Sequence, residues 1–273
     1  MRRVAPLLLA RVVFFGVPLA WVAAGCDPAA PSIDAGASSD AGGALDAAGP
    51  ADGGAAPVDA FVPSEDGGDA GSPLVGTVSG PCGSLDDAQW LSDSPYFLRN
   101  SIDFPSGLSA MDEALLSDGA REILLEGTAG GSSGMSEAIS FEILHRCEGA
   151  SLVKTETEVV YDPVGSDKTD ILVEIDGHRI GVSVTRAVAF PFDSPYPVDR
   201  AQMLLERKLT SILESSMNVV ASDAWVKQIL HVIAYAPMHA DSIRAAWDLI
   251  DPAIRADTIL LVTVTDGDDA FIY

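Results

Sequence analysis

Asp176-Gly177 stands between two runs rich in Val, Ile and Thr, residues 168–175 and 178–188. A two-residue Asp-Gly loop suits the right-handed twist of paired strands and is a strong hairpin signal. A hairpin closed there sets Ile175 opposite His178, Glu174 opposite Arg179 and Asp170 opposite Ser183. Directly opposed side chains share a face of the sheet. One face then collects Ile171, Val173, Ile175, Ile180, Val182 and Val184, which is the core side. The other collects Lys168, Asp170, Leu172, Glu174, Arg179, Gly181, Ser183 and Thr185. The register alone therefore gathers on one surface the polar groups that could carry chemistry. The plain electrostatic reading makes Lys168 and Asp170 a solvated pair. It makes Glu174–Arg179 a cross-strand ion pair worth roughly a few tenths of a kcal/mol.

Other chemical signals are thin. The run 127–134 is rich in Gly and Ser, but no Lys follows it as a phosphate loop requires. Asp266, Asp268 and Asp269 could ligate Ca²⁺, yet the remaining ligand positions of a calcium loop are missing and a solvated turn is the simpler expectation. Arg200, Arg207 and Lys208 cluster on one predicted helix and could contact phosphate; Asp199 and Glu206 beside them are the alternative partners.

The elements that must position these residues follow from periodicity. Residues 85–126 suggest short helices, including 111–116 and 120–125, with Pro105 and Gly119 as breaks. Residues 135–147 read as a helix through Ala138, Ile139, Ile143 and Leu144. Three strands follow at 152–161, 168–175 and 178–188. A helix from Pro197 to about residue 213 carries Ala201, Leu204, Leu205, Leu209, Ile212 and Leu213 on one stripe. A buried strand at 228–235, a helix capped by Asp241 and running to 250, and a strand at 258–265 complete the chain. The fold class expected is α/β, a mixed β-sheet flanked by helices in αβββαβαβ order.

This order, with Asp170 opening the second strand, resembles the PD-(D/E)XK or restriction-endonuclease-like superfamily over about residues 135–236. The resemblance implies an acidic residue at Asp170, a helix glutamate at Glu142, and an acidic-x-Lys triplet on the third strand. It further implies that the carboxylates hold Mg²⁺ while the lysine positions a water for phosphodiester hydrolysis. Here the triplet position reads Ser183-Val184-Thr185, so the second carboxylate and the lysine are absent. Lys168 facing Thr185 could stand in for the lysine. Glu174, or Glu206 on the following helix, could supply a second carboxylate.

The N-terminus points to export. Arg2 and Arg3 precede an apolar run ending at Ala23-Ala24-Gly25-Cys26. A basic start, an apolar stretch and small residues before a cut mark a secretory signal, although the run is nearly long enough to be an uncleaved membrane anchor. The cysteine after Ala-Ala-Gly resembles the lipobox of bacterial lipoproteins, which implies that residues 1–25 are removed and Cys26 is lipidated. Residues 26–78 are dominated by Ala, Gly, Asp, Pro and Ser, a composition that cannot offset its ordering entropy and reads as a disordered tether. Residues 79–273 then form one globular domain by size. Cys82 and Cys147 remain, and in an oxidising compartment an even pair is most simply a disulfide. The competing reading builds a metal or nucleophile site on His145-Arg146-Cys147, with His178, His231 and His239 scattered elsewhere.

The net charge of −24 is concentrated in the domain, where 13 basic residues face 31 acidic ones for a net of −18. Such a surface repels nucleic-acid phosphates unless bases are concentrated at one site. The sequence thus leads to a lipoprotein exported and anchored to the cell envelope, partnered with the membrane through its lipid. Its domain would serve as a binding or structural module, with an unknown protein or small-molecule partner and no cofactor. The alternative is a divergent Mg²⁺-dependent phosphodiesterase using Asp170, Glu142 and Lys168, with Asp170, Glu142 and Glu174 on the metal.

Overall fold

The computed structural model describes residues 75–106, 113–126 and 133–273, all within one compact unit, Glu65–Tyr273. The signal segment, Cys26 and the tether as far as residue 74 lie outside these residues, as do residues 127–132 of the Gly/Ser-rich run. The stretch read as tether ends earlier than expected. Val75 is fully buried, and Thr77–Ser79 is already a strand, β1.

The elements in order are β1, α1 (Asp87–Trp90), β2 (Tyr96–Phe104), α2 (Asp118–Glu126), α3 (Gly134–Glu148), β3 (Ser151–Thr155), β4 (Ile171–Ile175) and β5 (His178–Ala187). Then come α4 (Val198–Asn218), β6 (Lys227–Ala234), α5 (Pro237–Leu249), α6 (Pro252–Arg255) and β7 (Ile259–Gly267). The seven strands form one sheet in the order β1-β2-β7-β6-β5-β4-β3. Strands β2, β7, β6 and β5 run parallel, while β1, β4 and β3 pair antiparallel at the two ends. The mixed α/β class and the order helix, three strands, helix, strand, helix, strand are as expected.

Parallel strands need both faces covered, so their sequences read as apolar runs without alternation. Every residue of β6 is buried, as are the first seven of β7. One face, through Val173, Val182 and Ile229, packs with α2 and with Ile139 and Ile143 of α3. The other, through Leu230, Val232 and Leu260, packs with Leu205 and Leu209 of α4 and with α5. Gly119, expected to break a helix, instead lies in the first turn of α2. A Cβ there would stand 2.6 Å from the Phe141 ring, so glycine permits the close approach of α2 to α3.

The hairpin forms as its turn demands. Asp176 (φ 51°) and Gly177 (φ 77°) both adopt the left-handed conformation required by a two-residue loop of this kind. The register pairs Ile175 with His178, Glu174 with Arg179 and Ile171 with Val182.

Three expectations are corrected. Residues 85–126 are not only short helices, because β2 is a nine-residue strand within them. Its polar residues are individually satisfied, Arg99 by Asp241 at 2.6 Å and Asn100 by Thr263 at 2.6 Å, which conceals the strand in the sequence pattern. Strand β3 ends at Thr155 rather than 161, where Glu158 turns the chain by accepting from the Thr155 N–H at 3.0 Å. Helix α5 begins at Pro237, a turn before Asp241, and Asp241 serves the ion pair with Arg99 rather than a cap.

Candidate functional site

Asp170 precedes β4 and continues its pairing, donating its N–H to Val182 O at 3.0 Å. Its carboxylate folds back onto β5 and accepts from the Val184 N–H at 2.5 Å. The Lys208 amine, from the middle of α4, lies 4.0 Å from the same Oδ2. Burial pushes the Asp170 carboxyl above its usual range and nearby Glu156 adds to this, while Lys208 and the Val184 N–H pull it back. Ser183 is buried on the neighbouring strand. Next to Asp170, the Thr169 N–H donates to the Tyr161 hydroxyl at 2.9 Å, and burial raises that phenol to about 12.

A second carboxylate joins from α3, but it is Glu137. This residue is only 2% exposed. Burial first, then the charge of Asp170, lift its carboxyl from 4.5 to about 7, with Glu156 adding further and a Ser133 hydrogen bond and Lys208 opposing. Like charges brought together away from water disfavour ionisation in this way. Glu137, Asp170, Glu156 and Lys208 thus form one electrostatic cluster.

The residues expected from the sequence are distributed otherwise. Glu142 accepts from Arg146 Nε at 2.8 Å and from the Ser117 N–H at 2.9 Å, which ties α3 to the start of α2. The Glu142-to-Arg146 spacing of four residues, a standard helix ion pair, was a sign in the sequence that this glutamate had a partner. Lys168 is exposed, and the amine beside Asp170 is that of Lys208. Glu174 is exposed opposite Arg179, whose guanidinium donates to the Ser222 carbonyl instead. Glu206 accepts from Gln202 Nε2 at 2.9 Å. Thr185 is half-buried on β5.

The cysteines are joined, Cys82 to Cys147, with Cα atoms 4.5 Å apart. The bridge removes the thiol that a metal or nucleophile site on His145-Arg146-Cys147 would need. Glu148 reinforces it by accepting from the N–H groups of Gly83 at 3.0 Å and Leu85 at 3.2 Å. At the C-terminal turn, Asp269 accepts from Thr265 Oγ1 at 2.5 Å and Asp266 from the Gly267 N–H at 2.9 Å. Among the described residues no group of three or more His, Cys, Asp or Glu side chains is arranged to hold a metal ion.

One buried polar relay was not foreseen. Ser140, His231, Thr263 and Asn100 link α3 to the sheet at 2.7, 2.8 and 2.6 Å. Thr263 donates to Asn100, so it accepts from His231 Nε2, and Nδ1 accepts from Ser140. Complete burial pushes this imidazole down to about 3. The relay is buried, with only Asn100 reaching the lining of a cleft, and it ties the layers together.

The four parallel strands end at Phe104, Gly267, Ala234 and Ala187, the edge where open α/β sheets take ligands. Two clefts open at this edge. One, of about 750 Å³, is lined by Arg99, Asp103, Tyr235, Asp266 and Asp269 among others. The second, of about 710 Å³, lies between the end of β5 and α4.

These features define a mixed α/β protein whose α3–β3–β4–β5–α4–β6 segment runs helix, three strands, helix, strand, the order expected from the sequence. No family model matches the chain. It is 38% identical over 161 residues to the AAC-rich mRNA clone AAC4 protein of Dictyostelium discoideum, a match covering 57% of this chain and 23% of that protein. The chain thus spans about a quarter of that relative's length. Among solved structures it is similar to Pyrococcus furiosus SfsA in complex with Ca²⁺, at a TM-score of 0.28 and 18% identity over 49% of this chain and 56% of that one.

Proposed function

We propose that this chain is an exported lipoprotein, held to the cell envelope by acyl chains on Cys26, whose domain binds a ligand rather than cleaving one. The observation that carries this reading is the setting of Asp170. Its carboxylate is engaged by a backbone N–H and faced by Lys208, and the strand across from it offers Ser183 where a nuclease of this kind has a second acid. A Mg²⁺ centre draws its charge from carboxylate oxygens. Asp170, Glu142 and Glu174 do not make such a donor set, since Glu142 is committed to Arg146 and Ser117. The net acidity of the domain adds to the case against a polyanionic substrate.

A second reading, a divergent Mg²⁺-dependent phosphodiesterase, draws support from one feature. Burial and the charges of Asp170 and Glu156 oppose ionisation of Glu137, and a divalent cation would ease that opposition. Titrating Mg²⁺ into the full-length chain while following thermal unfolding separates the two. The binding reading expects an unchanged Tm and no cleavage of DNA or RNA. A Mg²⁺-dependent rise in Tm that disappears in Asp170→Ala, accompanied by cleavage, would establish the enzyme instead.

A further inference from the structure

The cleft between β5 and α4 has a lining unlike the rest of this acidic domain. Arg200, Met203 and Arg207 project along one stripe of α4, at spacings of three and four residues that share a helix face. Arg186 enters from β5, and Tyr196 and Tyr273 supply aromatic walls. Seven of the 13 basic residues beyond the tether lie within 4.0 Å of a carboxylate: Arg99, Arg121, Arg146, Lys154, Lys208, Lys227 and Arg244. None of the three cleft arginines is among them. Arg186 is held by donating to the Ile272 carbonyl at 2.8 Å. Arg200 lies over the Tyr196 ring at 5.1 Å. Arg207 is exposed, and its charge joins that of Arg200 in opposing the rise that burial imposes on the Tyr196 phenol. On a domain of net charge −18, three guanidinium groups that form no ion pair among the described residues meet at one concavity, where charge favours an anion.

We propose that this cleft binds a small phosphomonoester carried on a planar ring. Guanidinium forks match the geometry of phosphate oxygens, which a carboxylate-free arginine can engage bidentately. Tyr273 and the exposed Met203 offer aromatic and polarisable surface for the ring. A volume of about 710 Å³ falls within the range of small-molecule sites. A nucleic-acid strand would extend beyond the cleft over acidic surface, which disfavours it. The proposal gives a ligand class to the binding module described above, but it stands on different residues from the Asp170 cluster.

The test is calorimetric titration of the full-length chain with AMP, adenosine and inorganic phosphate. Saturable AMP binding is expected, with adenosine and inorganic phosphate each weaker by about tenfold or more, the loss of one charge-assisted or stacking contribution. Arg207→Ala, at an exposed helix position, should weaken AMP by about tenfold, and Arg200→Ala/Arg207→Ala by more. Arg255→Ala, whose guanidinium lies over Trp247 outside the cleft, should leave binding unchanged. Absence of AMP binding at low-millimolar concentration, equal affinity for adenosine, or indifference to Arg207→Ala would each overturn the proposal. Phosphorus NMR of the same mixtures keeps the two readings apart. Intact AMP accords with a binding module, whereas release of phosphate that persists in Arg207→Ala would sink the binding-only function without touching the cleft.

Discussion

Glu137 offers the sharpest test of the electrostatics around Asp170. Its carboxyl is lifted from 4.5 to about 7, chiefly by burial and then by the neighbouring Asp170. The folded chain therefore holds this proton more tightly than the unfolded chain does. Glu137 contributes fully to stability below pH 4.5, and that contribution is lost as pH rises through about 7. At about 1.4 kcal/mol per pH unit, the difference between the two values amounts to about 3 kcal/mol. Glu137→Gln keeps the shape and a hydrogen-bonding amide but cannot ionise. Urea unfolding of the natural chain and the variant, each followed from pH 4 to pH 9, isolates Glu137 together with its coupling to Asp170, Glu156 and Lys208, because the titrations of uncoupled groups cancel in the difference. The variant should gain about 3 kcal/mol relative to the natural chain across that range, most of it between pH 5 and 7. A difference in stability that stays constant with pH would refute the argument. It would mean that water reaches Glu137 or that Asp170 lies too far away to act on it.

Two further outcomes follow from the frame around the site. Replacing Cys82 and Cys147 by Ser frees a loop whose ends are 65 residues apart; chain-entropy scaling puts the loss at about 4 kcal/mol, measured by urea unfolding, and a loss under ~1 kcal/mol would show that Glu148, with Arg146 donating to the Gly76 carbonyl at 2.9 Å, holds the N-terminal segment unaided. Gly267→Ala should cost about 3 kcal/mol or more in the same measurement, since φ is 77° and the new Cβ would stand 2.1 Å from Phe104 O, whereas Gly149→Ala at φ 66° meets nothing within 4 Å and should lose only about 1 kcal/mol.

The sequence made legible whatever depended on local rules. Asp-Gly between alternating runs predicted the turn at 176–177, and through it the register that sets Asp170 against β5. The continuous apolar runs of β6 and β7 read as buried strands because both faces are in fact covered. What escaped were residues whose role depends on partners distant in the chain. Strand β2 looks too polar for a sheet centre until Asp241 and Thr263 are known to meet Arg99 and Asn100. Glu142, expected beside Asp170, gives way to Glu137 for the same kind of reason. Both lie on α3, and helical periodicity cannot tell which of them meets the head of β4. The i,i+4 arginine is the signal in the sequence, because it directs the Glu142 carboxylate to Arg146 and, with the Ser117 N–H, away from the head of β4. The lysine shows the point again. Thr185 faces Lys168 in the hairpin register, yet the amine at Asp170 comes from α4, which crosses that face. A hairpin fixes which residues share a surface; only the layer packed over that surface decides which charges reach it. The candidate site is accordingly a joint property of β4, β5, α3 and α4, and its acidic members gather where α3 begins rather than where the hairpin alone would place them.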